Sequence, residues 1–312
     1  MKHIFWLFPF LGFFIIFADA CVQGKKEKEV YLFTSFHEPA NEGLRFLYSE
    51  DGYHWDSIPG IWLKPSLGKE KLMRDPSIAK GPDGTYHLVW TTSWKGDLGF
   101  GHASSKDLIH WSEQEMIPAM EHEPTTVNVW APEIFYDDIE KEFIIVWASC
   151  IPGRFPEGEE EINNNHRLYY LTTKDFQTFS ETKLFFDPGF SAIDAVIVKR
   201  GLNDYVLVFK DNTRQNRNLR VAFGESPTGP FSDISEPFTE KFSEGPTVTK
   251  VKEDYLIYFD LYRKKIYGAM KSQDFVYFND ITNEIQIPED HKHGTIIKVP
   301  YSLIENLKRK KK

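Results

Sequence analysis

Two strand-like runs joined by a Gly-Pro-Asp-Gly turn occupy residues 73–90, which read Met73-Arg74-Asp75-Pro76-Ser77-Ile78-Ala79-Lys80-Gly81-Pro82-Asp83-Gly84-Thr85-Tyr86-His87-Leu88-Val89-Trp90. The second run is rich in aromatic and β-branched residues, and the turn residues before it predict a β-hairpin. Asp75 opens the first run beside a proline, which is an unusual place for a carboxylate if the strand only fills a core. Variants of this hairpin recur along the chain, and several also open on a carboxylate.

An internal repeat is marked by an Asp that is followed four residues later by an aromatic residue. The copies are Asp51–Trp55, Asp107–Trp111, Asp175–Phe179 and Asp274–Phe278, with a weaker one at Pro227–Phe231. Each copy follows a short apolar or aromatic run, and paired strands lie between the copies. About four strands in a period of roughly 50 residues are typical of a β-propeller blade. The five copies therefore predict an all-β, five-bladed β-propeller.

Closure of such a propeller requires one more strand, because an open sheet edge would otherwise remain. Val30–Ser35 near the start and Gly294–Val299 near the end are both strand-like. We expect one of them to complete a blade that begins at the other terminus. A β-sandwich is the alternative for an all-β chain of this length, but it does not require the signature to recur five times.

Composition limits the classes of partner. The net charge of −9 over 312 residues argues against nucleic acid. Only the C-terminal segment Lys308–Lys312 is strongly basic, and we expect it to be a frayed, solvated end. The two cysteines, Cys21 and Cys150, exclude a disulfide framework. We expect a monomer.

The N-terminus has the pattern of a secretory signal peptide. Lys2 and His3 precede an apolar run, and Ala18-Asp19-Ala20 stands just before Cys21. A cysteine at this place resembles a bacterial lipoprotein signal, in which Cys21 becomes the lipidated N-terminus. Simple cleavage and an uncleaved anchor are the alternatives. The expected location is the periplasm or an outer-membrane-anchored lipoprotein of a bacterium.

This pattern gives a division of the chain into four parts. We predict a signal peptide at residues 1–20, a short linker at 21–29, a single propeller domain at 30–304 and a basic tail at 305–312.

The starts of the inner strands carry the residues of chemical interest. In a propeller the first strand of each blade lines the central channel, so its start directs a side chain toward a common axis. The residues at these starts are Asp75, Glu133, Asp194, Glu244 and His293. Because they come from equivalent strands, we expect them to surround one pocket.

Converging carboxylates repel one another, which raises the pKa of at least one and leaves others ionised. Glycoside hydrolysis requires this difference, since one carboxylic acid protonates the leaving oxygen while one carboxylate activates water. The structural alternative is that each carboxylate caps a strand or pairs with an arginine such as Arg74. Several such residues in equivalent places favour a site.

The motifs around these residues resemble, in order, those of glycoside hydrolase family 43. They are Arg74-Asp75-Pro76-Ser77-Ile78, Trp130-Ala131-Pro132-Glu133, Ile193-Asp194-Ala195 and Ser243-Glu244-Gly245-Pro246. The resemblance extends from about Val30 to Pro300. It implies a five-bladed propeller and an inverting enzyme that needs no cofactor and acts on arabinofuranosides, xylosides or some galactosides. An Arg-Asp-Pro run also occurs in retaining, invertase-like relatives, so that motif alone does not fix the mechanism.

The resemblance also implies individual roles. Asp75 resembles the general base, Glu244 the general acid, and Asp194 the carboxylate that orients the acid and keeps it protonated. His293 resembles a histidine near the channel centre that contacts a bound ion or water, which implies a Ca²⁺ site there. Arg74, Glu133, Trp130 and His293 are the expected sugar contacts.

Two further groups are candidates for contact with a sugar. Trp90, Trp94 and Trp130 are expected either to form a platform for a sugar ring or to pack in the core. Lys210 and Asp211 end a predicted strand, and we expect them to form a surface ion pair rather than to reach a ligand.

Three other functions remain open from the sequence alone. A sialidase-like hydrolase is suggested by Ser49–Trp55, which resembles an Asp-box turn, but sialidases use an arginine cluster and usually six blades. A non-catalytic glycan-binding propeller would not need Asp75, Asp194 and Glu244 together. An exo-galactanase is the third alternative. The sequence does not identify the sugar or the linkage.

Overall fold

A computed structural model describes residues 1–2, 27–156 and 163–310 of the chain. Most of the predicted signal peptide, Cys21 and residues 22–26 of the predicted linker lie outside these ranges. Among the residues that are described, no helix is long and apolar enough to cross a membrane.

The described residues form twenty β-strands, one 3-10 turn and one α-helix. The strands are β1 (Glu29–Ser35), β2 (Arg45–Ser49), β3 (Asp56–Ile58), β4 (Arg74–Lys80), β5 (Tyr86–Thr91), β6 (Gly99–Ser105), β7 (Glu115–Pro118), β8 (Trp130–Asp137), β9 (Glu142–Cys150), β10 (His166–Thr173), β11 (Lys183–Phe186), β12 (Ala192–Gly201), β13 (Asp204–Asp211), β14 (Asn218–Gly224), β15 (Phe231–Ser232), β16 (Ser243–Val251), β17 (Asp254–Leu261), β18 (Ile266–Ser272), β19 (Asn279–Asp280) and β20 (Ile296–Pro300). The 3-10 turn is Thr282–Glu284, and the helix α1 is Tyr301–Lys310.

These strands are arranged as the five blades of a β-propeller. Four blades consist of consecutive strands, namely β4–β7, β8–β11, β12–β15 and β16–β19, and the remaining blade has the order β20-β1-β2-β3. The inner strands β4, β8, β12, β16 and β20 contact one another in a ring. The predicted fold class and the number of blades are confirmed.

The ring is closed by pairing between the two ends of the domain. Strand β20 pairs antiparallel with β1, in a register that runs from Glu29 opposite Pro300 to Phe33 opposite Ile296. Both strand-like terminal segments therefore lie in one blade. This pairing removes the open sheet edge that would otherwise expose unpaired backbone groups.

The repeated Asp signature is a structural turn. The Oδ1 atom of Asp51 accepts hydrogen bonds from the backbone N–H groups of Tyr53 (2.7 Å) and His54 (2.9 Å). The carboxylates of Asp107, Asp175 and Asp274 accept the same pair of bonds in their own blades. The signature thus closes the hairpin between the third and fourth strands of a blade, and it lies outside the central channel.

The core lies between neighbouring blades and consists of apolar side chains from facing sheets. Trp90 is fully buried there, and its indole ring occupies the space beside Gly101, where an added Cβ would lie 2.2 Å from the ring. Trp90 is therefore a core residue and not the sugar platform that we considered from the sequence.

The C-terminal segment differs from its prediction. Helix α1 spans residues 301–310, and its Ile304 and Leu307 side chains are fully buried in a cluster with Val30 and Leu32 of the first blade. Burial of two aliphatic side chains favours the packed helix by several kcal/mol, at about 1.5–3 kcal/mol each. The boundary expected at residue 304 thus falls within a helix, and Lys308 is not part of a frayed end. Residues 311–312 lie outside the described part of the chain.

Candidate active site

Four inner strands begin with the same β-bulge. The pairing register with the next strand shifts between Arg74 and Ser77, between Trp130 and Glu133, between Ile193 and Val196, and between Glu244 and Thr247. The second residue of each bulge has a positive φ, namely Asp75 (51°), Ala131 (46°), Asp194 (52°) and Gly245 (57°). Bulges change the direction of a side chain, and a positive φ in a residue other than glycine is strained, which is common at functional sites.

We expected the candidate residues to occupy equivalent positions at the starts of the inner strands, and the bulges show that this expectation is wrong. Asp75 and Asp194 share the second position of the bulge, whereas Glu244 stands at the first position and Glu133 at the fourth. The four carboxylates are therefore not structurally equivalent. The neighbouring proline, where there is one, stands at a different distance from the carboxylate in each motif.

A cavity of about 270 Å³ at the channel mouth collects most of the candidates. Its walls include Arg74, Asp75, Trp130, Asp194, Glu244 and His293, which the sequence singled out. They also include Thr91, Lys210, Asn212, Arg217 and Tyr262, which it did not place in a site. Glu133 is absent from these walls and lines a separate cavity of about 30 Å³ with Asp75 and Asp194.

Asp75 is held by two side-chain donors. His293 Nε2 lies 2.8 Å from its Oδ1, and the Thr91 hydroxyl donates to its Oδ2 at 2.8 Å. Burial alone would raise the pKa of Asp75, but the bonds with His293 and Thr91 and the charge of Arg74 hold this pKa below its usual value. Asp75 is therefore a carboxylate at neutral pH.

His293 lies between two carboxylates. Its Nδ1 lies 2.7 Å from Asp260 Oδ2, on the side opposite Asp75. Burial opposes the charge, yet the two carboxylates raise the pKa of His293 well above its ordinary value, so the ring is an imidazolium that donates to both. Gly245 makes room for this ring, since an added Cβ would lie 2.0 Å from it.

The ion expected near His293 has a candidate donor group. One donor atom each of Glu244, Asp260 and His293 lie within 4.8 Å of one another. However, both ring nitrogens of His293 are hydrogen-bonded to carboxylates, and an imidazolium has no lone pair for a metal. In this arrangement the histidine does not fit an ion, and a Ca²⁺ site there stays a prediction.

Glu244 is paired with a buried lysine. Lys210 Nζ lies 2.8 Å from Glu244 Oε2 and 5.2 Å from the centroid of the Tyr262 ring. Lys210 is buried, so the surface ion pair expected with Asp211 is wrong. Burial would raise the pKa of Glu244, but the charges of Lys210 and His293 lower it below its usual value.

Asp194 has the opposite tendency. Its Oδ2 accepts a hydrogen bond from the backbone N–H of Gly245 at 3.0 Å. Burial raises the pKa of Asp194, and the charges of Lys210 and His293 only partly oppose this. In the free protein it is therefore Asp194, not Glu244, whose surroundings favour the protonated form. We expected the reverse, because the sequence did not place Lys210 beside Glu244.

Glu133 is a half-buried acid that lines the cavity of about 30 Å³. Its Oε2 accepts a hydrogen bond from the Thr295 hydroxyl at 3.0 Å. Burial raises the pKa of Glu133 to about 7, despite hydrogen bonds with Ser77 and Thr295. Because Glu133 does not line the cavity of about 270 Å³, the structure does not place it where a sugar contact was expected.

Two tryptophans form an aromatic wall. The Trp94 and Trp130 rings meet edge to face at 5.8 Å, and Trp130 Nε1 donates to the Trp94 carbonyl at 2.9 Å. Trp94 is 46% exposed, and Arg74 Cζ lies 4.0 Å from the centroid of its ring. Arg74 also donates to Glu38 Oε1 at 2.7 Å. The Trp130 ring also stacks on His166 at 4.8 Å, so one face of each tryptophan is covered, that of Trp130 by His166 and that of Trp94 by Arg74. Only the other faces are left for a sugar ring.

A second, larger cavity continues from the first. It has a volume of about 1020 Å³ and shares Arg74, Trp94, Glu244, Tyr262 and His293 with the smaller one. It extends over residues 282–292 between the first and fifth blades. The two cavities therefore adjoin along these shared residues.

Comparisons with known proteins agree with this architecture. A family model described as "Probable glycosyl hydrolase domain", related to glycoside hydrolase family 43, matches residues 27–303. No curated protein sequence matches the chain.

Several solved structures are similar to this chain at low identity. A "putative exo-beta-1,3-galactanase" from Bifidobacterium bifidum is 16% identical, with a TM-score of 0.59, over 82% of this chain and 89% of that one. An α-L-arabinofuranosidase from Lactobacillus brevis is 18% identical, with a TM-score of 0.52, over 67% and 72%. A thermostable family-43 glycoside hydrolase is 16% identical, with a TM-score of 0.51, over 67% and 71%. At these identities the likeness shows the fold.

Proposed function

We propose that this chain, which belongs to the glycosyl hydrolase family related to glycoside hydrolase family 43, removes sugar units from plant-type polysaccharides or oligosaccharides with inversion at the anomeric carbon. The expected family is confirmed by the match over residues 27–303, and the chain is a glycoside hydrolase with a carbohydrate substrate. The observation that carries the finer proposal is the convergence of Asp75, Asp194 and Glu244 on one cavity.

Asp75 is the proposed general base. Its environment keeps it ionised, and the imidazolium of His293 fixes the orientation of its carboxylate. A water held by Asp75 would lose its proton as it attacks the anomeric carbon from the face opposite the leaving oxygen. Inversion requires the base and the acid to be roughly 6.5–9.5 Å apart. Asp75 and Glu244 lie close to the same histidine, since His293 Nε2 is 2.8 Å from Asp75 Oδ1 and one His293 ring nitrogen is within 4.8 Å of a Glu244 oxygen.

Glu244 is the proposed general acid, and Lys210 is part of its function. Glu244 is partly exposed, so solvent in the open cavity offsets part of the cost of its ion pair with the buried Lys210. A bound sugar would exclude that solvent and raise the cost of the separated charges. Transfer of one proton from the Lys210 ammonium to Glu244 then gives a neutral pair. Glu244 passes that proton to the leaving oxygen and returns to the carboxylate, while the proton of the attacking water goes to Asp75. Exchange with solvent moves a proton from Asp75 back to Lys210.

Asp194 is the second candidate for the acid, and its raised pKa is the observation in its favour. In the first assignment it orients the Gly245 backbone beside Glu244 through the 3.0 Å hydrogen bond. In the second it would donate the proton itself.

The dependence on the leaving group separates the two assignments. Removal of a general acid costs roughly 10²–10⁴-fold when the leaving group needs protonation and much less when it does not. We expect the activity of Glu244→Gln to fall by this factor on an alkyl glycoside but only slightly on the dinitrophenyl glycoside of the same sugar. Asp75→Asn should lose activity on both substrates. If Asp194→Asn shows the leaving-group pattern and Glu244→Gln does not, Asp194 is the acid.

The proposed substrates are α-L-arabinofuranosides or β-xylosides. The smaller cavity has a volume just below the roughly 300–1,000 Å³ of pockets for drug-sized ligands, which suits one sugar unit at the end of a chain. An exo-β-1,3-galactanase is the second candidate, because a protein so described covers the largest part of this chain among the structures named above. Release of nitrophenol from the arabinofuranoside, xyloside and galactoside, together with arabinan, xylan and galactan digests, tests this choice.

Export and anchoring belong to the proposal as well. The N-terminal pattern supports secretion with a lipid on Cys21, and mass spectrometry of the mature N-terminus tests it. A mature chain that begins at residue 21 without added mass would indicate simple cleavage.

A further inference from the structure

We propose that Arg217 binds an anionic group on the sugar in the smaller cavity, the one that contains Asp75 and Asp194. This group is the carboxylate of a uronic acid or a sulfate ester. This inference rests on the proposed function, and it makes the charge of the substrate a determinant of specificity.

Arg217 is held in place by its backbone. Its φ is 48°, a conformation that non-glycine residues seldom adopt. Its carbonyl accepts hydrogen bonds from the N–H groups of Phe242 (2.7 Å) and Ser243 (3.1 Å). Strand β16, which carries Glu244, begins at Ser243. A strained residue is therefore fixed beside the strand of the proposed acid, and its side chain lines the same cavity.

Every other cation of the cavity has a carboxylate partner. Arg74 donates to Glu38 at 2.7 Å, and Lys210 to Glu244 at 2.8 Å. His293 lies between Asp75 and Asp260 at 2.8 and 2.7 Å. In these contacts three cations meet four carboxylates, so each of these cations already has a counter-charge before any substrate enters.

Arg217 has no such partner within the described ranges. Its Nε atom is buried and makes no hydrogen bond, and no described carboxylate forms an ion pair with its guanidinium. Asp211, the closest carboxylate along the chain, accepts hydrogen bonds from other donors. It accepts from Asn216 at 2.8 Å and from Arg220 at 3.0 Å.

The Arg217 side chain is half-buried, and its Nε–H is the buried donor without a partner. Such a donor costs free energy, and an acceptor on the sugar would satisfy it. A neutral sugar hydroxyl can fill one hydrogen-bonding position, but it leaves the charge uncompensated. A carboxylate or sulfate matches the planar guanidinium with two parallel hydrogen bonds and supplies the missing charge. The chemistry of the cavity therefore fits a sugar that carries an anion.

Binding measurements test this without any need for catalysis. We would titrate the wild-type protein with matched pairs of free sugars: galacturonate against galactose, glucuronate against xylose, and galactose 6-sulfate against galactose. At least one anionic member should bind about 10- to 100-fold more tightly than its neutral partner, the range expected for a charge-assisted hydrogen bond. Preference for a uronate or for the sulfate distinguishes the two sources of charge.

The variant Arg217→Gln should abolish this preference, so that the ratio of the two affinities falls by about 10-fold or more. Arg263→Gln is the control, since Arg263 is exposed and lies outside both cavities, and the ratio should be unchanged. Thermal unfolding checks that Arg217→Gln is folded. Should it not fold, Arg217→Lys keeps the charge without the planar fork and should give an intermediate ratio.

The inference is overturned if no anionic sugar binds wild-type protein more tightly than its neutral partner, or if Arg217→Gln leaves the ratio unchanged. These outcomes are distinct from failure of the proposed function. That failure would appear as absence of turnover on every glycoside, charged or neutral.

Discussion

Lys210 Nζ lies 2.8 Å from Glu244 Oε2 inside the cavity that also contains Asp75 and Asp194. The contact ties the second strand of one blade to the inner strand of the next, and it sets the charge of the proposed acid. A buried ion pair is costly to form, so its presence in the wall of this cavity suits a function in proton transfer rather than in stability.

Lys210→Met should raise the pKa of Glu244. Burial already favours the protonated form, and Lys210 is the strongest influence against it. In the wild type the proton that Glu244 delivers is shared with Lys210, whose pKa is raised above its usual value by Glu244 and Asp194 despite burial, so acid activity persists until that pKa is passed. In Lys210→Met the acid activity is lost as pH rises through the pKa of Glu244 alone, so the alkaline limb of the kcat/KM profile should move to lower pH by about 2 units or more. Lys241→Met, a change at an exposed lysine, should leave the limb in place. An unmoved limb in Lys210→Met would mean that Glu244 does not control it.

His293→Gln should move the acidic limb of the kcat/KM profile. The imidazolium of His293 lowers the pKa of Asp75, and a general base loses activity as pH falls through its pKa. Removal of the charged donor should therefore shift the acidic limb of kcat/KM upward by about 1–3 units. His54→Gln, at an exposed histidine of the Asp signature, is the control. A profile identical to that of the wild type would argue that Asp75 is not the base.

Gly245→Ala should damage both the fold and the site. The residue has a φ of 57°, and an added Cβ would lie 2.0 Å from the His293 ring. Left-handed strain costs about 1–2 kcal/mol, and overpacking typically adds about 1–3 kcal/mol to the loss in the free energy of unfolding.

Gly189→Ala is the matched control for that variant, because its φ is also positive but nothing lies within 4 Å of the added Cβ. It should show the strain alone in urea unfolding and keep its activity. Equal losses in the two variants would contradict the predicted clash with His293.

Acid should destabilise the protein through a buried histidine pair. His87 and His102 stack on Phe176, and burial lowers their pKa values to about 4 and about 3. Their neutral forms contribute stability that is fully present above the unfolded pKa of about 6.5. This contribution is lost as pH falls from there through the folded values.

Urea unfolding between pH 7 and pH 4 measures the effect. His102→Leu, which cannot be protonated, should show a smaller loss of unfolding free energy over this range than the wild type. If the unfolding free energy falls equally with pH in the two proteins, the histidine pair is not a source of acid sensitivity.

The blade count followed from the sequence because the turn signature recurs once per blade, with an Asp in four blades and Pro227 in the fifth, and the Asp turns use only local hydrogen bonds. The closure followed from the strand-like segments at the two ends of the domain. The register of Asp75, Asp194 and Glu244 did not follow, since the offset of a bulge depends on pairing with the next strand. Lys210 was misplaced because a lysine after an apolar run was expected at the surface. The apolar run before Lys210 was the signal that could have placed it inside, because this strand brings Lys210 opposite Ile193, next to Asp194.

Arg217 and helix α1 show two other limits of the sequence. No motif marks Arg217, whose position depends on backbone contacts with a strand distant along the chain. In the helix, the basic residues concealed the buried positions Ile304 and Leu307, whose spacing suits one helical face.

The anomeric configuration of the first product tests inverting hydrolysis at Asp75 most directly. Proton NMR spectra of wild-type protein acting on a β-xyloside or an α-L-arabinofuranoside, taken before the free sugar mutarotates, identify that product. We predict initial release of α-xylose or β-arabinofuranose, with the signal absent in Asp75→Asn. Initial release of β-xylose or α-arabinofuranose would contradict the inverting mechanism and the assignment of Asp75 as the base.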